Sequence, residues 1–522
     1  MKTYKFLLIS TLLFNVSCTK VLDTVPDDRL SSELFWKNDG DAKLAVNALY
    51  RDLDGVNVIS WDGLTEIAHT NGTLNEQYPI EQGTYDTFNT KISTEWSAAY
   101  TGIAACNYFL ANVDKITSSN ITLINQYKGE ARALRAYQYI KLAALFGDAP
   151  LVTQPVDIAE ASQLSRTPVA DIWKFVDNEL EAAAGLLPAT YTSADIGRVT
   201  KGAAWALKAR ADLLSGNYQK AVDACNNVTG YSLYPTYATL FTYAAESNKE
   251  VILDKQFLAS SYANAVFSVL APYSQKNGQS TYVPTKAVVD AYETANGKNI
   301  ADAGSGFDPY NPYTNRDPRL KFSIFVDGDA LPSGAVYKPI PTSGTPDAVG
   351  NTFMASTTGF AIKKYINASD YANTTNCGIN IILLRYAEVL LTYAEAKIEL
   401  NQIDQSVYDA INLVRNGRTD VKLPSIPAGQ SQLQLRAIVR HERTIELAFE
   451  GLHLYDMRRW KTGETVMAGA VFGMTYKDAS GNLQTIKSLS GGNRVFLPKH
   501  YLWPVPQNEI NLDHNLTQNP GW

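Results

Sequence analysis

Residues 383–418 read LLRYAEVLLTYAEAKIELNQIDQSVYDAINLVRNGR. The first half carries apolar residues on two helical faces. One holds Leu384, Ala387, Leu391, Ala394 and Ile398, the other Leu383, Tyr386, Leu390 and Tyr393. A helix buried on both sides is the inner layer of a stacked array. A second such block reads KGAAWALKARADLLSGNYQKAVDACNNV, two helices joined by Gly216-Asn217. Its small residues Ala203, Ala206, Ala209 and Ala211 let a neighbouring helix approach closely. Beyond the turn, Tyr218 and Ala221 stand at the spacing of a tetratricopeptide-like helical hairpin. The repeats are irregular, so the array is not a consensus solenoid.

Helical period recurs elsewhere. Val46, Leu49, Tyr50 and Leu53 follow an i, i+3, i+4, i+7 pattern after a cap expected at Asp41. EARALRAYQYIKLAALF predicts a helix that stops at Gly147-Asp148-Ala149-Pro150. Thr167-Pro168 predicts the start of another, with proline at the first helical position, and its stripe is Ile172, Phe175, Val176, Leu180 and Leu187. Three stretches lack any period: about 54–92, 258–380 and 461–522. Loops this long in a compact protein are functional or well packed on a scaffold. The expected fold is mainly α, a helical scaffold with a loop-rich irregular part packed on it.

The N-terminus adds a compartment. Lys2 and Lys5 precede an apolar run over 6–16, too short for the roughly 20 residues a membrane helix needs. This predicts a signal peptide over 1–17. Cys18 follows at once and is the expected lipid attachment point, although Asn15 departs from the usual leucine at that place. Each buried methylene of an acyl chain would contribute about 0.8 kcal/mol. An ordinary signal with a chance cysteine is the alternative. The remaining Cys106, Cys225 and Cys377 are far apart and odd in number, which predicts buried thiols and leaves room for one bridge. The formal charge is −6, with no basic run, so nucleic acid is not an expected partner.

Motifs of catalysis are missing. His441-Glu442 opens HERTI, but a zinc protease helix needs a second histidine where Ile445 stands. There is no CxxC pair, P-loop, GxGxxG or G-x-S-x-G elbow. Asp52-Leu53-Asp54-Gly55 and Asp327-Gly328-Asp329 are fragments of calcium-loop chemistry and read as turns. No cofactor is expected, and a structural calcium is left open. With 52 acidic residues, a catalytic carboxylate pair is not excluded by sequence. Arg440, Glu442, Arg443, Glu446 and Glu450 on an otherwise apolar helix predict ion pairs between stacked helices.

The positive signal is aromatic. The chain has 30 Tyr, 18 Phe and 8 Trp. Tyr and Trp combine a flat apolar face with a polar edge, which suits the C–H side of a sugar ring, while amides and acids bond its hydroxyls. The first aperiodic stretch carries Trp61, Tyr78 and Tyr85 with Asn71 and Asn75. The second carries Tyr273 and Tyr282 near Gln275, Lys276, Asn277 and Gln279. Each residue singly suits packing of its own loop. Jointly the two segments are candidates to line a ligand surface.

Several blocks carry a resemblance. They are Cys18 followed by VLDTVPDDRLSSELFW, then LFGDAPLV, RTPVADIWKFVDNELEAAAGLLP, GRVTKGAAWALKARADLLSGNY, NRDPRL, LLRYAEVLLTYAEAKIEL, INLVRNGR, ERTIELAFEGLHLYDMRRW and LWPVPQNEINLDHNLTQNPGW. In this order the chain resembles SusD/RagB-family outer-membrane lipoproteins of Bacteroidetes-type bacteria. The resemblance implies a tetratricopeptide-like scaffold, with an N-terminal helical region over 18–257 and a SusD/RagB C-terminal region over 258–522. It implies a lipid-anchored, surface-facing protein that captures oligosaccharide for a SusC-type TonB-dependent transporter, without catalysis. A structural lid of the barrel, a binder of peptide cargo and a secreted glycoside hydrolase are the alternatives. No ligand residue carries over, because these vary with substrate. Residues 316–320, Arg385-Tyr386-Ala387-Glu388 and Arg458-Arg459-Trp460 are expected in packing and ion pairs. The tail, with Trp503, Pro504, Pro506 and Trp522, is expected to dock.

Overall fold

The computed structural model describes residues 35–352 and 354–522. The signal peptide and Cys18 lie outside the described residues. Long helices pack against their sequence neighbours in turn: Thr90–Asn112, Ile121–Phe146, Val169–Leu186, Lys201–Ser215 and Tyr218–Asn226. The last of these packs on Tyr386–Glu399, which in turn meets Gln405–Asn416 and Gln432–Glu446. Hairpins from opposite ends of the sequence thus form one array, as expected of a mainly α, tetratricopeptide-like scaffold. Among the described residues, no helix is long and apolar enough to cross a membrane.

Local chemistry explains the helix ends. Asn38, rather than Asp41, caps the first helix, Asp39–Leu49, and Asp41 completes a capping box from the third position. The Thr167-Pro168 start shifts by one residue. Pro168 is itself the cap, and the Val169 amide is satisfied at 2.7 Å by Asp148, reaching over from the turn after the preceding helix. Gly216 closes Lys201–Ser215 in the left-handed conformation (φ 78°).

The doubly apolar run starts differently from its helical pattern. Leu383 and Leu384 belong to a strand, and the helix begins at Tyr386. Among the described residues, eight short strands pair two by two. In chain order they are β1 (Ala68–Thr70), β2 (Val251–Lys255), β3 (Tyr282–Pro284), β4 (Ile324–Phe325), β5 (Ala361–Ile362), β6 (Ile381–Arg385), β7 (Phe472–Lys477) and β8 (Leu483–Lys487). β2 pairs antiparallel with β6, opposing Leu253 to Leu384. Backbone pairing at this place overrides helical periodicity. The intervening residues 256–380 therefore leave and rejoin the scaffold on neighbouring strands.

Buried charge ties this excursion to the array. Arg385 reaches Glu450 at 2.6 Å, Glu446 at 2.7 Å and Glu250 at 2.9 Å. Arg319, from the excursion, reaches Glu442 and Glu446 at 2.5 and 2.9 Å. Arg418 bonds Glu250 at 2.7 Å. These groups are all buried. The expected helix-to-helix network is present, and it extends further than the stretch that predicted it. Arg459 and the Trp460 indole both bond Glu395.

The tail docks. Trp503 is fully buried, stacked at 5.6 Å on Trp61 and edge-on to Phe146 at 5.7 Å. The Asn519 amide donates to the Phe146 and Trp503 carbonyls. Cys106, Cys225 and Cys377 are buried free thiols.

Candidate functional site

The two aromatic segments are brought together by the antiparallel pair β1–β3, which opposes Thr70 to Tyr282 and Ala68 to Pro284. The Asn71 amide continues the ladder to the Thr281 carbonyl at 2.9 Å. Gly63 permits the close approach. A Cβ there would stand 3.1 Å from the Tyr282 ring and 3.3 Å from the Thr70 hydroxyl.

Two buried side chains then draw in further loops. Asn71 accepts from the Thr357 amide and hydroxyl, both at 2.8 Å, and donates to the Ala355 carbonyl at 3.0 Å. His69 is 2.7 Å from Glu81 through Nδ1 and 2.8 Å from the Ser490 hydroxyl through Nε2. Glu81 also accepts from the Thr70 amide at 3.1 Å. Ser488 donates to the Thr357 hydroxyl at 2.9 Å. The loops 71–78, 351–358 and 488–492 and the end of the 272–281 turn thus converge on one β-ladder.

This geometry sorts the sequence candidates. Trp61 is a correction: it is 2% exposed, sandwiched between Tyr455 and Trp503, and has no face free for a ligand. Tyr85 is a second. It is buried against His500 and Trp522 at 5.0 and 4.7 Å, and burial pushes its phenol well up. Asn71 is the third, because both ends of its buried amide are spent on loop 355–357. In each case the docked tail or a distant loop occupies the group, and neither partner is near in sequence.

Asn75, Tyr78 and Tyr282 are half-buried: Tyr282 opens β3, and the Tyr78 amide donates to the Asn75 carbonyl at 2.9 Å on the stretch that follows β1. Burial raises the Tyr282 phenol. Tyr78 is raised by burial and by the charge of Glu81. Tyr273 is exposed at the start of the next turn. That turn is tightly wound: a Cβ on Gly278 would lie 2.0 Å from the Pro272 carbonyl. Gln275 is buried and exchanges two 3.0 Å bonds with Ser333, so it is structural.

Sequence reasoning missed Leu74 and Leu489, 100% and 93% exposed on the loops that carry Asn75 and Ser490. The signal for the second was Gly491-Gly492 after a serine-rich pair in an aperiodic stretch, a turn mark that places a residue at a loop tip.

The fold is a stack of helical hairpins that carries a loop-rich irregular part. The chain belongs to the SusD family. The family's model matches residues 249–522, and a second, described as "Starch-binding associating with outer membrane", matches residues 40–213. The chain is 28% identical over its whole length to SusD-like protein P2 of Formosa agariphila, covering all of that protein. It is 31% identical, with a TM-score of 0.85, to the structure of a SusD-like carbohydrate-binding protein from Bacteroides fragilis, over 92% of this chain and 100% of that one. It also shares its fold with surface glycan-binding protein A of Bacteroides thetaiotaomicron, solved with laminarihexaose (19% identity, TM-score 0.70, 92% of this chain and 100% of that one).

Proposed function

We propose that this chain is a surface glycan-binding lipoprotein of the outer membrane. It captures an oligosaccharide without altering it and hands it to a SusC-type TonB-dependent transporter. The observation that carries the reading is the β1–β3 ladder, which sets Tyr282 beside the segment leading into Asn75 and Tyr78, with the surrounding loops held by His69 and Asn71. Kinship with a carbohydrate-binding relative at 31% identity supports it.

Pyranose rings stack their C–H faces on tyrosine, while Asn75 bonds hydroxyls. Pre-ordered loops lower the entropy cost of binding. Affinity is modest in this scheme, since the cargo must be released to the transporter. The anchor is diacylglycerol on Cys18.

Titration calorimetry of the soluble chain from residue 19 against a glycan panel tests the reading. At least one oligosaccharide binds, and Tyr282→Ala or Tyr78→Ala weakens it about tenfold, the loss of one stacking face. Binding of peptides but no glycan would move the cargo to peptide. Product release from a bound glycan would overturn capture without turnover. Metabolic palmitate labelling abolished by Cys18→Ala tests the anchor.

A further inference from the structure

A pocket sharing no residue with the loop cluster lies between the first helix, the turn 194–198 and the end of β2. It encloses ≈ 430 Å³. Lys255 lines it and is 5% exposed. Its ammonium donates to the Tyr50 and Arg51 carbonyls at 2.7 and 2.6 Å. Those two bonds leave the third N–H without a partner, and the ammonium makes no ion pair among the described residues. An ammonium removed from water and bonded only to neutral oxygens is under-compensated.

The pocket's own acids are already engaged. Asp195 is held by Lys43 at 3.2 Å and Arg198 at 2.9 Å, and Asp254 accepts from Asn380 at 3.1 Å. Burial pushes Asp254 up to about 6 and Lys255 down to about 8. At the rim stands Arg51, its side chain 71% exposed and only 3.7 Å from Asp52.

One wall is aromatic. Tyr262 is 47% exposed and lies parallel to Phe257, 5.4 Å between centroids. The turn carrying it is pinned, as Leu258 and Tyr262 exchange backbone bonds and the Ser260 amide donates to Asn376. The Lys255 ammonium sits 5.5 Å from the tyrosine ring. A buried cation with an open donor, an exposed arginine held only by its sequence neighbour Asp52 and a fixed aromatic wall form a built site for a ring bearing a negative charge.

We propose that this pocket is a second carbohydrate subsite that takes an acidic sugar, its carboxylate or sulfate ester against Lys255 and Arg51 and its ring beside Tyr262. The assignment rests on the glycan-binding reading above and specifies part of the cargo: a polymer with acidic substituents.

The test is NMR titration of the soluble chain with glucuronate, galactose 4-sulfate and glucose as separate probes. At least one acidic probe binds and glucose does not. Binding of glucuronate alone assigns a carboxylate, and of the sulfate alone a sulfate ester. Arg51→Ala, which alters only an exposed side chain, and Tyr262→Ala each weaken the acidic probe about tenfold, as does added salt. Lys255→Met abolishes binding, with the melting curve confirming that this variant folds. Failure of both acidic probes on the parent protein, or affinities unmoved by Arg51→Ala and Tyr262→Ala, overturns the proposal. The neutral-glycan panel reports on the loop cluster separately, so either reading can fail while the other stands.

Discussion

Replacing Asn71 with alanine should loosen the proposed ligand face of the loop cluster without removing a ligand contact. The buried amide makes three hydrogen bonds to residues 355 and 357. Alanine removes all three and leaves the Ala355 carbonyl buried without that partner, and the Thr357 amide likewise unpaired. Each orphaned group costs about 1–3 kcal/mol. Part of the penalty is relieved by water entering at half-buried Thr357, so the local destabilisation is about 2–4 kcal/mol. That corresponds to a ~30- to ~1000-fold rise in local opening. Amide exchange of residues 351–358, followed by mass spectrometry on the ligand-free protein, should accelerate by that factor while the helical array keeps its protection. Affinity for a bound glycan should fall less, under about tenfold, because a minor open state lowers it only by the fraction lost from the competent form. Unchanged exchange together with lost affinity would refute the reasoning, for it would place Asn71 on the ligand.

Further outcomes follow from other buried groups. Trp61→Ala should cost about 3–5 kcal/mol in urea denaturation, yet leave glycan affinity intact where the variant is folded. Glu446→Gln should cost about 3–5 kcal/mol, because Arg319, Arg385 and Arg418 would each lose a buried anion. Arginine partners hold Glu442, Glu446 and Glu450 below the ordinary glutamate value of 4.5. Their stabilisation is present above 4.5 and lost as pH falls through the depressed folded values, so the denaturation midpoint should drop steadily in that acid range. Asp254 behaves oppositely. Burial raises it from 3.8 to about 6, so its neutral form stabilises the fold below 3.8 and that advantage is lost as pH rises through about 6. Asp254→Asn should therefore raise the unfolding free energy at pH 8, by about 3 kcal/mol, and have little effect at pH 4.

How much could be read from the sequence depended on the range of the interaction. The double apolar stripe of residues 383–398 located the inner helix, because periodicity is a local record of which faces are buried. It did not reveal that Leu383 and Leu384 are a strand, since their partner Leu253 lies far back in the chain. The buried ion pairs were announced by five charges on an apolar helix. Arg319 and Arg385, which complete them, were expected only in packing and ion pairs generally. Among the site candidates, Trp61, Tyr85 and Asn71 carried chemistry suited to a sugar. Their burial is decided by Trp503, Trp522 and Thr357, hundreds of residues away. Composition thus found the neighbourhood of the candidate site, and tertiary contacts decided which of its members face outward.

That division has a consequence for cargo. The groups that hold the loops together point inward and have their polar capacity spent: His69 on Glu81 and Ser490, Asn71 on 355 and 357, Gln275 on Ser333. The exposed groups, Leu74 and Leu489, sit on stretches whose shape is set by those staples. An exposed residue can therefore change with little effect on the loop beneath it, because it contributes almost no buried contact. A staple cannot change without opening the face. If the loop cluster is the sugar site, a few surface substitutions could change the sugar it accepts while its four loops keep their register.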